Sequence, residues 1–111
     1  MDNLKNDKYY AEKAIEQINI IQEYTTSKNY KDFISNNQLV DAVMFRLVQM
    51  IENIGKISPD FKTKNHQIPW GKIMGFRNGI VHDYGKTDYT IVYEVVMESI
   101  NPLKEVLQSI I

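Results

Sequence analysis

The chain has 111 residues, 43% of them hydrophobic and 24% charged, which are ordinary values for one globular domain with a single core. It has no cysteine, which excludes disulfides, thiolate metal sites and a cysteine nucleophile. Its net charge of −1 is atypical of a stand-alone nucleic-acid binder, so any RNA contact must be local or built by assembling subunits. The stretch Met1–Asn6 has no apolar run typical of a signal peptide, and no segment approaches the ~20 apolar residues of a membrane span. We therefore expect a single domain over residues 1–111, located in the cytoplasm and without membrane contact.

The first half of the chain reads as helix. Apolar residues recur at helical spacing from about Asp7 to Thr25, and Tyr30 to Ile34 has the length of one short turn. Cap-type residues then precede a long second helix from about Asn37 to Ile57. Ser58-Pro59 stops that helix, because proline disfavours helical backbone in the residue before it.

The second half is expected to contain two more helices. The polar stretch Asp60 to Ile68 is predicted to be a loop, and Pro69 suits the first turn of a third helix that ends near Tyr84-Gly85, with Gly85 as its C-terminal cap. Thr87 or Asp88 caps a fourth helix, which Asn101-Pro102 either kinks or restarts. The pattern predicts an all-α fold, an antiparallel four- to five-helix up-and-down bundle.

The second helix carries two apolar stripes. The wider one is its core face. It comprises Val40, Val43, Met44, Leu47, Met50, Ile51 and Ile54. Phe45 and Val48 lie on another sector, together with Asp41 and Glu52, which are eleven residues apart and so nearly in line. Two interpretations stay open: a widened core face with solvated acids, or a second interface bordered by carboxylates that await a cation.

The third helix contains a cation within its apolar stripe. That stripe comprises Trp70, Ile73, Met74, Ile80 and Val81. Arg77 lies among them, and an unpaired buried charge would cost several kcal/mol. Arg77 is therefore expected to pair with Glu52 or Asp41, or to face a phosphate, and a carboxylate could hold it in place for that second role.

His82 lies five residues after Arg77, about 140° around a regular helix, so one face cannot present both. Histidine near a helix end is often only a favourable charge against the dipole. Asn78 shares the face of His82, and Tyr84 follows two residues later. This grouping makes Arg77, Asn78 and His82 candidate catalytic residues, whereas His66, in a polar stretch, receives no role.

The spacing Arg77-Asn78, three further residues, His82, one residue, Tyr84 resembles the signature of HEPN domains in the form found in HepT-like toxins. The resemblance extends to the run from Pro69-Trp70 to Gly75, with Phe76 in place of the usual leucine, and to Glu52, preceded here by Ile51 where the family usually has glycine. It covers most of the chain, roughly residues 39 to 107.

The resemblance implies a small all-α ribonuclease that needs no metal or cofactor and acts as a homodimer with two motifs lining one cleft. It implies that Arg77 and His82 are catalytic, with Asn78 auxiliary, and that Glu52 steadies Arg77. The partner would be a minimal nucleotidyltransferase antitoxin of the MNT type, which binds the toxin and transfers AMP to Tyr84. RNA would be cut to a 2′,3′-cyclic phosphate and a 5′-hydroxyl.

Three other functions are compatible with the residues. The bundle could be a non-catalytic binding module that docks a nucleotidyltransferase and helps position a nucleotide, which the net charge of −1 favours slightly. It could be an inert helical scaffold in which the Arg77-to-Tyr84 motif only packs. A metal enzyme using Asp41, Glu52 and His82 is the least favoured, because no pair of ligands has metal-binding spacing on one helix face.

Overall fold

The computed structural model describes residues 6–111, and the expectation for Met1–Lys5 as part of a leaderless N-terminus lies outside that range. Within it the chain is helical from end to end, with short connections. The α-helices are α1 (Asp7–Thr25), α2 (Tyr30–Ile34), α3 (Asn37–Gly55), α4 (Pro59–Lys64), α5 (Trp70–His82), α6 (Tyr89–Glu94) and α7 (Ile100–Gln108). The all-α helical bundle predicted from the pattern is confirmed.

Asparagine and aspartate side chains start most of these helices. Asn6, Asn29 and Asn36 each accept a hydrogen bond from a backbone N–H in the first turn of α1, α2 and α3. Asp88 does the same for α6, which decides between the two predicted caps in its favour. The first N–H groups of a helix have no partner within the helix, so these caps fix where each helix begins.

The core lies between α1, α3 and α7. Ser58, just after α3, bonds to Asp7 at the start of α1, whereas Arg46 in mid-α3 bonds to Gln17 in mid-α1. The two long helices are therefore antiparallel. The interior is aliphatic, as the 3.6-residue pattern predicted. Its fully buried members include Ala14, Ile18, Ile21, Val40, Val43, Met44, Leu47, Ile100 and Leu107.

The predicted loop from Asp60 to Ile68 is wrong in its first half, because Pro59–Lys64 forms α4. Ser58 is its N-cap, with its hydroxyl oxygen accepting from the Phe61 N–H at 3.4 Å, and Pro59 occupies the first helical position. Ser-Pro ends one helix and starts the next, since proline fits the first turn, where its missing N–H has no partner to lose. Only the end of α3 was expected at this point.

The helix α4 anchors the start of α5. The indole N–H of Trp70 donates to the carbonyl oxygens of Lys62 and Asn65, both at 3.1 Å. The Phe61 and Trp70 rings pack edge to face with centroids 6.2 Å apart. The first turn of α5 is thus fixed on the outside of the bundle, with its apolar stripe directed at α3.

The C-terminal end of α5 differs from the prediction. The helix stops at His82, and Tyr84–Lys86 forms a separate tight turn. Gly85 is not a left-handed cap, because no glycine of residues 6–111 has a positive φ. Asp83 follows the last helical residue instead, and its backbone N–H still bonds to the Gly79 carbonyl.

The last helical stretch runs through Asn101-Pro102 without a break. It contains one wide π-type turn at Val95–Ser99, between α6 and α7. Pro102 has no N–H to donate to the carbonyl four residues earlier, and a wide turn is one way in which a helix accommodates that loss. The expected kink or restart is therefore replaced by a local widening.

In residues 6–111, every helix is too short or too polar to cross a bilayer.

Candidate active site on α5

The helix α5 is fastened to α3 by an ion pair. The Nη2 of Arg77 donates to Oε1 of Glu52 at 3.1 Å, and the arginine side chain is 27% exposed. Of the two carboxylates that the sequence offered, Glu52 is therefore the one that holds this cation. The pair is half-buried, so solvent screens it less than a pair on the open surface.

The second fastening joins Asp41, eleven residues before Glu52 on α3, to Tyr84 in the tight turn that follows α5. The hydroxyl of Tyr84 donates to Oδ1 of Asp41. This hydrogen bond and the nearby carboxylate charge raise the pKa of Tyr84 to about 12, with partial burial adding to the effect. Asp41 is not a second partner of Arg77, as the sequence had left open; it fixes the segment that follows α5. The order Asp41–Tyr84 and Glu52–Arg77 also shows that α3 and α5 are antiparallel.

The guanidinium of Arg77 keeps donors that these contacts do not use. Its Nη1 donates to the Asn78 side-chain oxygen at 3.1 Å, and its Nε is buried with no hydrogen-bond partner among the described residues. Two of its five N–H groups are thus engaged. The others are positioned rather than free to swing, because Glu52 and Asn78 hold the planar group from two sides.

His82 is exposed at the last position of α5, and its side chain forms no hydrogen bond with another residue of the described range. The structure places Arg77, Asn78 and Glu52 together, and Tyr84 with Asp41, but His82 joins neither group. Its separation from Arg77 is the rotation of about 140° that five helical residues produce. His66 is also exposed and lies between α4 and α5.

Two large apolar side chains are exposed between the two fastenings. Phe45 of α3 is 56% exposed and Val81 of α5 is 46% exposed. Val48 is half-buried and packs on the core. We call Phe45 and Val81 the apolar patch. The narrow second stripe of α3 is therefore divided: Val48 widens the core face, and Phe45 faces outwards.

Two cavities flank α5 on the side of the C-terminal helix. The larger, about 430 Å³, is mainly apolar and extends between the start of α5 and the wide turn, from Pro69 to Ser99. The smaller, which we call the end cavity, is about 220 Å³ and adjoins the last turn of α5. It is lined by Phe76, Gly79, Ile80, Asp83, Lys86, Thr87, Asp88 and Ile91. The sequence did not predict the end cavity. Its polar lining residues lie around the junction of the third and fourth predicted helices, and they are Asp83, Lys86, Thr87 and Asp88.

No cluster of three His, Asp or Glu side chains suited to hold a metal ion occurs within residues 6–111. Asp41 and Glu52 are instead engaged by Tyr84 and Arg77 respectively.

The chain is thus a small all-α bundle with a braced arginine and an exposed histidine on one helix. Comparison with known protein families shows which family the chain belongs to. Residues 14–110 match the family described as ribonuclease HepT-like. The chain therefore belongs to the HepT-like ribonuclease family, as the motif from Arg77 to Tyr84 predicted, and ribonuclease activity is the activity of that class.

Curated relatives agree with this assignment. The chain is 29% identical over 104 residues to a "Probable ribonuclease HepT" of Thermococcus cleftensis, covering 90% of this chain and 91% of that protein. It is 26% identical over 109 residues to a "putative RNase" of Caldanaerobacter subterraneus subsp. tengcongensis, covering 95% and 97%.

A third relative is longer than this chain. It is a "Gamma-glutamylcyclotransferase and putative RNase" of Methanocaldococcus jannaschii, 34% identical over 101 residues. The match covers 91% of this chain but only 46% of that protein, so the chain spans about half of its length. No solved structure matches the chain significantly.

Proposed function

We propose that the protein is a metal-independent endoribonuclease that cuts RNA with Arg77 and His82. The observation that carries this proposal is the bracing of Arg77 by Glu52 and Asn78, with the second N–H of each terminal nitrogen left over, on the helix that ends in an exposed His82. Arginine donors fixed in advance can stabilise the negative charge that grows on phosphoryl oxygens in the transition state.

The proposed reaction uses the ribose as its own nucleophile. The 2′-oxygen attacks phosphorus and forms the 2′-O–P bond, while the bond from phosphorus to the 5′-oxygen breaks. His82 accepts the proton of the 2′-hydroxyl or returns one to the departing 5′-oxygen, because an imidazole exchanges protons near neutral pH. The products are a 2′,3′-cyclic phosphate and a 5′-hydroxyl, and DNA, which lacks the 2′-hydroxyl, is not cut.

A homodimer would complete this site. Arg77 and His82 are separated on one helix, and a twofold partner would supply a second copy of each to a shared cleft. The apolar patch supports such a dimer, since exposed Phe45 and Val81 lie between the two polar contacts that frame the site. The acidic net charge is compatible with RNA binding if the cations of two subunits converge there.

We further propose that a nucleotidyltransferase partner inactivates the enzyme by transferring AMP to Tyr84, as part of a toxin–antitoxin pair. The phenol oxygen would attack the α-phosphorus of ATP, the bond to pyrophosphate would break, and the phenolic proton would leave. Asp41 supports this step because it already accepts the hydrogen bond of that phenol. Bulk added to Tyr84, two residues from His82, would obstruct the cleft.

The cleavage assignment is tested by comparing wild type with Arg77→Ala and His82→Ala on a single-stranded RNA. Lys13→Ala and His66→Ala are the controls: Lys13 pairs with Glu16 on α1 away from the site, and His66 is exposed between α4 and α5. We expect both site variants to lose cleavage and both controls to retain it, with EDTA without effect and cyclic phosphate among the products. Equal cleavage by all five proteins would show that the nuclease assignment is wrong.

A second candidate function is a binding module without cleavage, which the net charge of −1 favours over a stand-alone RNA enzyme. In that case purified protein would retain a nucleotidyltransferase or RNA on a filter while leaving RNA intact. Intact mass after co-expression with the transferase would then report whether Tyr84 gains AMP, independently of any cleavage.

A further inference from the structure

The end cavity adjoins the proposed site and is not used by the chemistry above. Gly79 lines it three residues before His82, and residues three apart are neighbours on a helix surface. Asp83, another lining residue, directly follows His82. A molecule held in this cavity would therefore lie against the last turn of α5, which carries His82, whereas the larger apolar cavity lies towards the start of α5.

We propose that the end cavity is a subsite for one nucleobase of single-stranded RNA, next to the bond that is cut, and that it prefers bases with an exocyclic amino group. The inference rests on the proposed ribonuclease function and adds a substrate preference to it. Three properties carry it: the size and apolar walls of the cavity, its acceptor-rich rim, and the absence of a side chain at Gly79.

The walls suit the flat face of a base. Phe76 and Ile80 of α5 form one side and the exposed Ile91 of α6 forms the other. Proteins bind unpaired bases by stacking them on aromatic side chains and by bonding to their edges. The volume of about 220 Å³ is below the ~300–1,000 Å³ of sites for drug-sized ligands, so a single ring system fits better than a larger ligand.

The rim suits a base edge that donates. Asp83 and Asp88 bring carboxylate oxygens, which only accept hydrogen bonds. One oxygen of Asp88 is engaged by the Thr90 N–H at 2.9 Å, which leaves its other oxygen for a ligand. The amino groups of adenine, cytosine and guanine can donate to these acceptors. Uracil offers only its N3–H, which lies between two carbonyl oxygens that the carboxylates would repel. Lys86, on the same rim, can offset the charge of the adjacent phosphate.

Gly79 allows a clean test. An added Cβ there would meet no heavy atom of the protein within 4 Å, so Gly79→Ala should fold while placing a methyl group in the opening. Gly71→Ala is the matched control, because Gly71 is also unobstructed in α5 but lies about two turns away and outside the cavity. Replacing glycine by alanine raises the helix propensity at either position. A difference in substrate preference between the two variants therefore reports on the cavity.

The experiment measures kcat/KM on oligo(A), oligo(C) and oligo(U) for the three proteins. We expect wild type to prefer oligo(A) and oligo(C) to oligo(U) by about fivefold, the size expected for one hydrogen bond from the amino group to a carboxylate oxygen. Gly79→Ala should lose that preference, mainly through KM, and Gly71→Ala should keep it. An unchanged preference in Gly79→Ala, or none in wild type, would overturn the subsite.

Binding is tested separately from cleavage by adding AMP, CMP or UMP to the isotope-labelled protein. We expect the amide signals of Gly79, Lys86 and Thr87 to shift with AMP and CMP, and much less with UMP. These shifts would support the subsite even if the protein proved unable to cut RNA, in which case only the proposed function fails. Shifts elsewhere, or equal shifts in Gly79→Ala, would count against the subsite whatever the cleavage result.

Discussion

The guanidinium of Arg77 is braced on two sides. Glu52 holds one amino group while Asn78, the next residue in the helix, holds the other. A group fixed in this way does not have to reorganise when charge develops on a substrate. The brace is therefore expected to matter more for turnover than for stability.

Glu52→Gln separates the effect of the ion pair on turnover from its effect on stability. The amide keeps an oxygen for Arg77 but loses the charge, so we expect cleavage to fall about tenfold, equivalent to ~1.4 kcal/mol of transition-state stabilisation. The free energy of unfolding should change by less than about 1 kcal/mol, because the pair is partly exposed. Steady-state kinetics measures the fall in cleavage, and urea unfolding measures the change in the free energy of unfolding.

The control for that variant is Glu16→Gln, which removes an exposed pair between Glu16 and Lys13 on α1. Glu16→Gln should alter neither the rate of cleavage nor the free energy of unfolding. A loss of stability in Glu52→Gln large enough to explain its lost activity would contradict the brace and favour a purely structural pair.

Asp41 and Tyr84 give a second residue-scale prediction, concerning pH. The pKa of Tyr84 is raised from 10 to about 12 by the hydrogen bond to Asp41. The stability that this bond contributes is therefore fully present below about pH 10, and it is lost as the pH rises from 10 towards 12. Asp41→Asn should bring the Tyr84 titration back towards 10.

Tyrosinate absorbance measures this shift, with Tyr84→Phe subtracted to isolate one of the seven tyrosines. Asp32→Asn, which changes an exposed aspartate in the short helix α2, serves as the control and should leave the curve unchanged. A Tyr84 titration that stays near 12 in Asp41→Asn would mean that another group causes the shift.

At the scale of elements, α4 sets the position of α5 although no proposed catalytic residue belongs to it. Ser58 caps α4 and also donates twice to Asp7, from its backbone N–H at 2.9 Å and from its hydroxyl at 2.6 Å. Trp70 then ties α4 to the first turn of α5. The start of the site-bearing helix thus depends on a chain of contacts that begins at α1.

Ser58→Ala should cost about 1–2 kcal/mol of unfolding free energy, since it removes a cap and a hydrogen bond to a carboxylate. Ser35→Ala is the control, because that hydroxyl bonds only to backbone oxygens at the end of α2. Urea unfolding compares the two. Equal, small effects would show that the contact with Asp7 contributes nothing to stability.

The elements differ in how well the sequence predicted them. Asp7–Thr25 was predicted with its observed bounds, because a long amphipathic pattern between polar breaks leaves little choice. The helix Pro59–Lys64 was missed, since Ser-Pro was interpreted only as a stop. Periodicity alone left open which carboxylate meets Arg77, because that depends on how α5 is offset along α3. The family resemblance implied Glu52, and Glu52 is the carboxylate that Arg77 contacts. The proposed catalytic roles of Arg77, Asn78 and His82 stay predictions.

At the scale of the whole molecule, the apolar patch points to a proposed dimer. Phe45→Lys places a charge in the patch without touching the core, so we expect it to turn dimer into monomer and to lower cleavage at concentrations where wild type is dimeric. Met97→Lys, at another exposed apolar position, is the control. Sedimentation velocity measures the oligomeric state of each protein. A wild-type protein that is monomeric at micromolar concentration would refute the dimer.

The two carboxylates that fasten α5 are eleven residues apart on α3, close to a whole number of turns. Deleting or inserting a single residue between Asp41 and Glu52 would rotate one of them by about 100° relative to the other, so both fastenings could not persist. The length of this stretch of α3 is therefore constrained by the two contacts together.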